Sequence, residues 1–105
     1  MNQKFAWLLS AVSGVTDIPE AEILSQRRAQ GLVRARMIVA HVAHEYLGYS
    51  YPEIGRALGG RDHTTILHNG RQAAIALTTE QKFADDLADV LRLCGLSEAD
   101  RRRAA

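Results

Sequence analysis

Apolar residues recur along the chain at intervals of three and four, the spacing of one face of an α-helix. The first stripe is Phe5, Leu8, Leu9 and Val12, which predicts a helix ending near Gly14. Convincing alternation of apolar and polar residues, the mark of a half-buried strand, occurs in no segment. We therefore predict an all-α fold.

Turn residues and further apolar stripes divide the rest of the chain into five more helices. The predicted order is a short helix from Pro19, a basic loop over 25–33, a long helix from Arg34 to Gly48, a short helix over Pro52–Leu58, a helix from Asp62 or His63, and a last helix after Thr78-Thr79-Glu80-Gln81. The inward-facing residues predicted on them are Ile23, Leu24, Ile38, Val39, Val42, Tyr46, Leu47, Ile66, Leu67, Gly70, Ala74, Leu77, Phe83, Leu87, Val90 and Leu91. A compact domain of about six helices follows.

The segment from 50 to 65 has the layout of a helix-turn-helix. Ser50-Tyr51-Pro52-Glu53 is a capping-box pattern, in which the serine caps a helix and the glutamate bonds back to it. Gly59-Gly60 stops that helix, and a second helix starts about two residues later. In a helix-turn-helix the second helix enters the DNA major groove by its N-terminus.

Five consecutive hydrogen-bonding side chains stand at the start of this second helix, from Arg61 to Thr65. Asp62 can accept from the exocyclic amine of cytosine or adenine, and His63 can donate to a purine or thymine edge. The methyl group of Thr64 can pack on that of thymine, and the helix N-terminus favours a phosphate. The same Asp-His-Thr sequence is also an ordinary N-cap, so the residues alone leave both interpretations open.

The 105 residues carry a formal net charge of +1, but the charge is unevenly distributed. Residues 26–75 hold seven arginines against three carboxylates, whereas residues 76–100 hold two basic residues against six carboxylates. Arginine presents a planar fork of donors that suits phosphates and guanine edges. A basic central block between acidic flanks is compatible with DNA binding and equally with an ordinary solvated face.

Several function classes lack their sequence signals. The single cysteine, Cys94, excludes an internal disulfide and a multi-cysteine zinc site, and no apolar run approaches the roughly 20 residues of a membrane-spanning helix. No Gly-x-x-x-x-Gly-Lys-Ser/Thr nucleotide loop and no nucleophile pattern is present. Only His41 and His44 share a helix face among the four histidines. We expect no enzyme activity, no metal and no cofactor.

Residues Tyr51–His68 closely resemble the signature of the C-terminal DNA-binding domain of DnaA, the bacterial replication initiator. The unbroken run Gly-Gly-Arg-Asp-His-Thr-Thr at 59–65 carries most of the resemblance, which extends upstream through Leu24–Arg28 and Arg34–Arg36. A weaker similarity covers about residues 5–94. The resemblance implies the fold of DnaA domain IV, similar to the Trp repressor.

The resemblance also implies two sets of DNA contacts. The residues that match base contacts are Asp62, His63, Thr64, Pro52 and Arg28, with Arg28 inserted into the minor groove. The residues that match phosphate contacts are Arg36, Arg61, Thr65, Arg27 and His68. Met37 and His44 depart from polar or basic residues of the family, which predicts weaker phosphate anchoring.

These inferences give a set of expectations. Residues 1–97 form the DNA-binding domain and residues 98–105 a disordered basic tail, the whole being either free-standing or cut from a longer protein. The partner is double-stranded DNA carrying a DnaA-box-like site, bound by a monomer in the cytoplasm at the nucleoid, without nucleotide or membrane. The biological role is replication initiation or its control. The alternatives are a transcriptional regulator or competitor of the initiator on the same fold, and a protein-interaction module using the acidic last helix.

Overall fold

The computed structural model describes residues 2–102, which form helices joined by short loops and contain no strand. The helices are α1 (Gln3–Thr16), α2 (Glu20–Ile23), α3 (Gln30–Glu45), α4 (Tyr51–Ala57), α5 (His63–Thr79) and α6 (Gln81–Leu93), followed by a 3₁₀ turn over Glu98–Asp100. The prediction of an all-α fold with about six helices is confirmed. None of these helices is both long enough and apolar enough to cross a bilayer.

Two helix ends differ from the predicted positions. α1 continues past Gly14 to Thr16 and ends where Asp17 takes a left-handed backbone conformation. α3 begins at Gln30, four residues before the predicted start. Gly31 suggested a loop, yet the next residue, Leu32, is buried, so the first turn of α3 already packs on the core. A glycine weakens a helix by only about 1 kcal/mol, which such packing offsets.

α3 is the central helix of the domain. It packs against all five other helices, and its residues from Ala35 to Ala43 are buried without interruption. A helix that is apolar almost all round has to be surrounded by other elements. The remaining helices each add one apolar face to the same core, including Leu8 of α1, Ile54 of α4 and Phe83 of α6.

The inward face of α5 is rotated relative to the prediction. Ala74 is exposed, and the buried residues of α5 are Ile66, Asn69, Ala73 and Ala76. The small alanine side chains face the core, while the larger Ile75 stays 55% exposed. Short side chains allow two helix axes to approach closely. The face of α5 that carries Ala73 and Ala76 is therefore the buried one, although Ile75 is the larger apolar residue.

The C-terminal segment contacts the end of α3. The backbone N–H of Arg102 donates to the carbonyl oxygen of Glu45 at 2.6 Å, and the Arg101 guanidinium lies 3.7 Å from the Glu45 carboxylate. Ser97 and Asp100 form a capping box around the 3₁₀ turn. These contacts attach residues 98–102 to the domain. The expected division between residues 97 and 98 stays a prediction, and its final part, residues 103–105, lies outside the described residues.

Candidate nucleic-acid interface

The capping box predicted at the start of α4 is present. Ser50 Oγ accepts from the Glu53 N–H at 3.2 Å, and Glu53 Oε1 accepts from the Ser50 N–H at 2.9 Å. These hydrogen bonds lower the pKa of the Glu53 carboxyl. Pro52 occupies the first turn of α4 with its ring exposed, where its missing N–H costs nothing.

A glycine turn (residues 58–61) sets the angle between α4 and α5. Gly59 and Gly60 both have φ of +79°, a left-handed conformation that favours glycine. The N–H of Arg61 donates to the carbonyl oxygen of Gly55 at 2.7 Å, and a Cβ at Gly55 would overlap the carbonyl oxygen of Arg61. Glycine is therefore required inside α4 as well as in the turn, and the helix-turn-helix is confirmed.

Asp62 is the N-cap of α5. Its Oδ1 accepts from the backbone N–H and from the hydroxyl of Thr64, both at 2.9 Å, and lies 3.4 Å from His63 Nδ1. The bonds from Thr64, with a smaller contribution from His63, hold the pKa of the Asp62 carboxyl below its usual value. Both Asp62 and His63 are about two-thirds exposed, at 66% and 63%. Capping and solvent exposure therefore coexist at this helix start.

The arginine loop (residues 24–29) connects α2 to α3 and carries two adjacent arginines. Arg27 pairs with Glu22 at 2.5 Å and is exposed. Arg28 is also exposed, and its charge lowers the pKa of Arg61, after the larger effect of burial. The loop thus brings an arginine close to the glycine turn, although the two are far apart in sequence.

An open groove of about 590 Å³, the central groove, lies between the arginine loop and the start of α5. Its lining residues are Gln26, Arg28, Val33, Arg36, Gly60, Arg61, Asp62, Thr64, Thr65, His68 and Asn69. The structure thus brings together seven of the predicted contact residues from three parts of the chain. The other three, Pro52, His63 and Arg27, are exposed outside this groove.

Arg36 lies almost entirely inside the domain, and its expected phosphate contact stays a prediction. It is only 4% exposed, and its guanidinium donates to the carbonyl oxygens of four residues. The acceptors are Glu22, Ile23, Ser25 and Arg27. Burial, and secondly the charge of Arg61, lowers its pKa. Four of its five N–H groups are therefore bonded to the protein backbone.

Two polar residues that line the central groove, Gln26 and Asn69, are not among the contacts predicted from the sequence. Gln26 Nε2 donates to the carbonyl oxygen of Gly59 at 3.2 Å and so joins the arginine loop to the glycine turn. Asn69 is 8% exposed and lines the groove from α5. Its position four residues after Thr65 places it on the same helix face, which was the available sequence signal.

Met37 and His44, two of the departures from the family pattern, lie largely inside the domain. Met37 is 4% exposed. His44 Nδ1 lies 2.9 Å from the carbonyl oxygen of Tyr49, and the His44 ring stacks on Tyr51 with centroids 4.1 Å apart. Both side chains therefore have internal packing partners, and the expected weakening of phosphate anchoring stays a prediction.

The structure also bears on the rival interpretations. No group of three or more metal-ligating side chains occurs within residues 2–102. The acidic side chains of α6 bond within their own helix, Asp85 to Gln81, Asp86 to Lys82 and Asp89 to Arg92. Such i, i+3 and i, i+4 pairs are typical of a solvated helix face.

The chain is similar both to a protein-family model and to individual proteins. The family model described as the bacterial dnaA protein helix-turn-helix matches residues 7–80. A chromosomal replication initiator protein DnaA from Wolbachia pipientis wMel is 39% identical over 71 residues, which is 68% of this chain. The aligned region is 15% of that protein's length. The family match covers the arginine loop, the glycine turn and α5, and ends before α6.

Proposed function

Because this chain belongs to the bacterial DnaA helix-turn-helix family, we propose that it binds double-stranded DNA with sequence specificity. The start of α5 enters the major groove, and the arginine loop lies in the adjacent minor groove. The domain acts by binding and carries no catalytic group. Its target is a DnaA-box-like site.

The central groove is the observation that carries this proposal. Three arginines, Arg28, Arg36 and Arg61, line the groove. Burial lowers the pKa of Arg36 and of Arg61, with a smaller effect from the charge of Arg61 on Arg36 and from the charge of Arg28 on Arg61. Asp62 is the only carboxylate among the lining residues. A positive surface next to a helix N-terminus attracts a polyanion, and a single acceptor within it favours particular bases over others.

The contacts divide by chemistry. Asp62, His63 and Thr64 present an acceptor, a donor and a methyl group to base edges of the major groove, with Pro52 packed beside them. The side chain of Arg28 inserts into the minor groove. Arg61, Thr65, His68 and Arg27 contact phosphates and set the register of the domain on the duplex. These assignments are supported by the family resemblance, by the exposure of Asp62, His63, Thr64, Thr65 and His68, and by the free surface of the arginine loop.

The biological role that we propose is replication initiation or its control at the nucleoid. The support is the name of the Wolbachia relative, a chromosomal replication initiator. The domain binds its asymmetric site as a monomer, since no extended heptad stripe offers a dimer seam.

Fluorescence-anisotropy titration at physiological salt tests the proposal. The protein is titrated against a DnaA-box duplex and against a scrambled duplex of equal composition. We expect the affinity for the box to be about a hundredfold higher or more than the affinity for the scrambled duplex. Sequence-specific proteins typically bind their own sites at least about a thousandfold more tightly than non-specific DNA. Equal, salt-sensitive binding to both duplexes would contradict sequence specificity. Absence of binding to either would overturn DNA binding itself.

A further inference from the structure

We propose that Arg36 is a positioning residue that fixes the arginine loop on the helix-turn-helix, so that the two DNA-contacting elements meet the duplex as one rigid unit. This inference rests on the proposed function, in which the start of α5 lies in the major groove and the arginine loop in the minor groove. It replaces the direct phosphate contact expected at Arg36. The structural part of the inference can be tested without DNA.

Arg36 organises the chain from the end of α2 through the arginine loop. Its Nε donates to Ile23 at 2.8 Å and its Nη1 to Arg27 at 2.6 Å. Its Nη2 donates to Ser25 at 2.7 Å and to Glu22 at 3.1 Å, in each case to the carbonyl oxygen. The last carbonyls of a helix lack partners within the helix, and α2 has only four residues. A buried guanidinium satisfies these carbonyls and those of the loop together.

Arg61 links the same loop to the glycine turn. Its Nη2 donates to the carbonyl oxygen of Ser25, which also accepts from Arg36, and its Nη1 donates to that of Leu58. Gln26 adds a bond to Gly59, and a Cβ at Gly59 would overlap the carbonyl oxygen of Leu24. The Ser25 carbonyl is therefore a junction between the loop held by Arg36 and the turn that precedes α5.

Lysine cannot reproduce this arrangement. Arg36 uses four N–H groups that diverge in one plane from three nitrogen atoms, whereas a lysine ammonium has three donors on one nitrogen. An Arg36→Lys variant keeps the charge and so keeps any simple phosphate attraction. It loses the fixed geometry of the loop, and ordering that loop on DNA then adds an entropic cost to binding.

The decisive experiment is a double-mutant cycle on DNA affinity. Box-duplex affinity is measured for wild type, Arg36→Lys, Arg28→Ala and the double variant. Positioning by Arg36 predicts at least a tenfold loss for Arg36→Lys with an unchanged salt slope, and little further loss when Arg28→Ala is added. Arg34→Lys is the matched control, because Arg34 is on the same helix but pairs with Glu80 at 2.9 Å. Arg34→Lys should change the box-duplex affinity little. Arg28→Ala should lower that affinity by the same factor in the Arg34→Lys background as in wild type.

Limited trypsin cleavage after Arg27 and Arg28 gives the readout without DNA. Loosening the loop should raise the cleavage rate at least fivefold in Arg36→Lys and leave it unchanged in Arg34→Lys, with both variants folded by circular dichroism. Should Arg36→Lys fail to fold, Arg61→Lys takes its place, since it removes the second bond to Ser25.

The outcomes separate the two proposals. The positioning role would be overturned if Arg36→Lys bound the box duplex as tightly as wild type. It would also be overturned if the affinity loss of the double variant equalled the product of the two single losses, or if the cleavage rate of Arg36→Lys were unchanged. A wild-type protein that prefers no duplex would overturn the proposed function, while the cleavage rates would still decide whether Arg36 holds the loop.

Discussion

Asp62 and His63 illustrate how one residue pair serves both folding and the proposed recognition. The Oδ1 atom of Asp62 caps α5, and the depressed pKa keeps the carboxylate charged at neutral pH. His63 occupies the first position of α5 and stays exposed beside it. The N-cap interpretation left open by the sequence is therefore correct, and it leaves the exposed carboxylate and imidazole available to bases.

Replacing His63 by alanine tests base recognition at the level of one side chain. We expect His63→Ala to weaken binding to the box duplex by roughly 1–3 kcal/mol and to leave scrambled-duplex affinity nearly unchanged, because a base contact acts on one sequence. His68→Ala is the matched control, since a lost phosphate contact weakens both duplexes alike. Competition titrations on the two duplexes measure both effects. Equal losses on the two duplexes would remove His63 from the base contacts.

The element that depends most on tertiary packing is the helix-turn-helix. α4 has only seven residues, and its Gly55 lies directly against the backbone of Arg61. An isolated helix of this length is unstable in water, so α4 is held by its capping box and by its contacts with α5. The contact at Gly55 therefore fixes both the stability of α4 and the direction of α5.

Alanine substitutions at two helical glycines should have opposite effects. Gly55→Ala is expected to destabilise the domain by about 1–3 kcal/mol and to weaken box binding, because the new methyl group overlaps a backbone oxygen that cannot move independently. Gly14→Ala in α1 should stabilise by about 0.5–1 kcal/mol, because the site is open and alanine favours a helix. Urea unfolding of both variants gives the comparison. Stabilisation by Gly55→Ala would contradict the close approach of α4 and the turn.

At the scale of the whole molecule, the domain extends beyond the region that matches its family. α6 begins one residue after that match ends, yet Phe83, Leu87 and Val90 belong to the same core as α1. Charged groups lie around buried His41 near the end of α3: Glu98 and Arg101 from the C-terminal segment, and Glu45 from α3 itself.

The stability of the whole domain should fall as the pH drops below about 6.5. Burial is the largest effect on His41 and lowers its pKa, with Arg101 and His44 acting in the same direction and Glu45 and Glu98 opposing them. The unfolded chain consequently binds more protons than the folded one in this window, so unfolding becomes more favourable as the pH decreases.

Melting temperatures at pH 7.5 and 5.5 test this expectation. The decrease in wild type should be larger than in His41→Gln, which has no titrating ring at this position. An equal decrease in both proteins would show that another group causes the pH dependence.

The sequence by itself determined the features that depend on near neighbours. The stripes of apolar residues, the capping box at Ser50 and the glycine pair at 59–60 all follow from rules that act within about four residues. They were sufficient for the all-α fold, for the helix-turn-helix and for the family resemblance. The exposed start of α5 follows from the same local rules.

Only the tertiary structure decided which groups Arg36 contacts, where α3 begins and which face of α5 is buried. The acceptors of Arg36 lie up to 14 residues away, and Arg61 reaches Ser25 across 36 residues. Whether an arginine lies on the surface or caps a distant loop depends on which segments meet. The residues next to an arginine in the sequence do not predict which of the two it does. The carbonyl oxygens that accept its hydrogen bonds belong to segments that meet only in the folded chain.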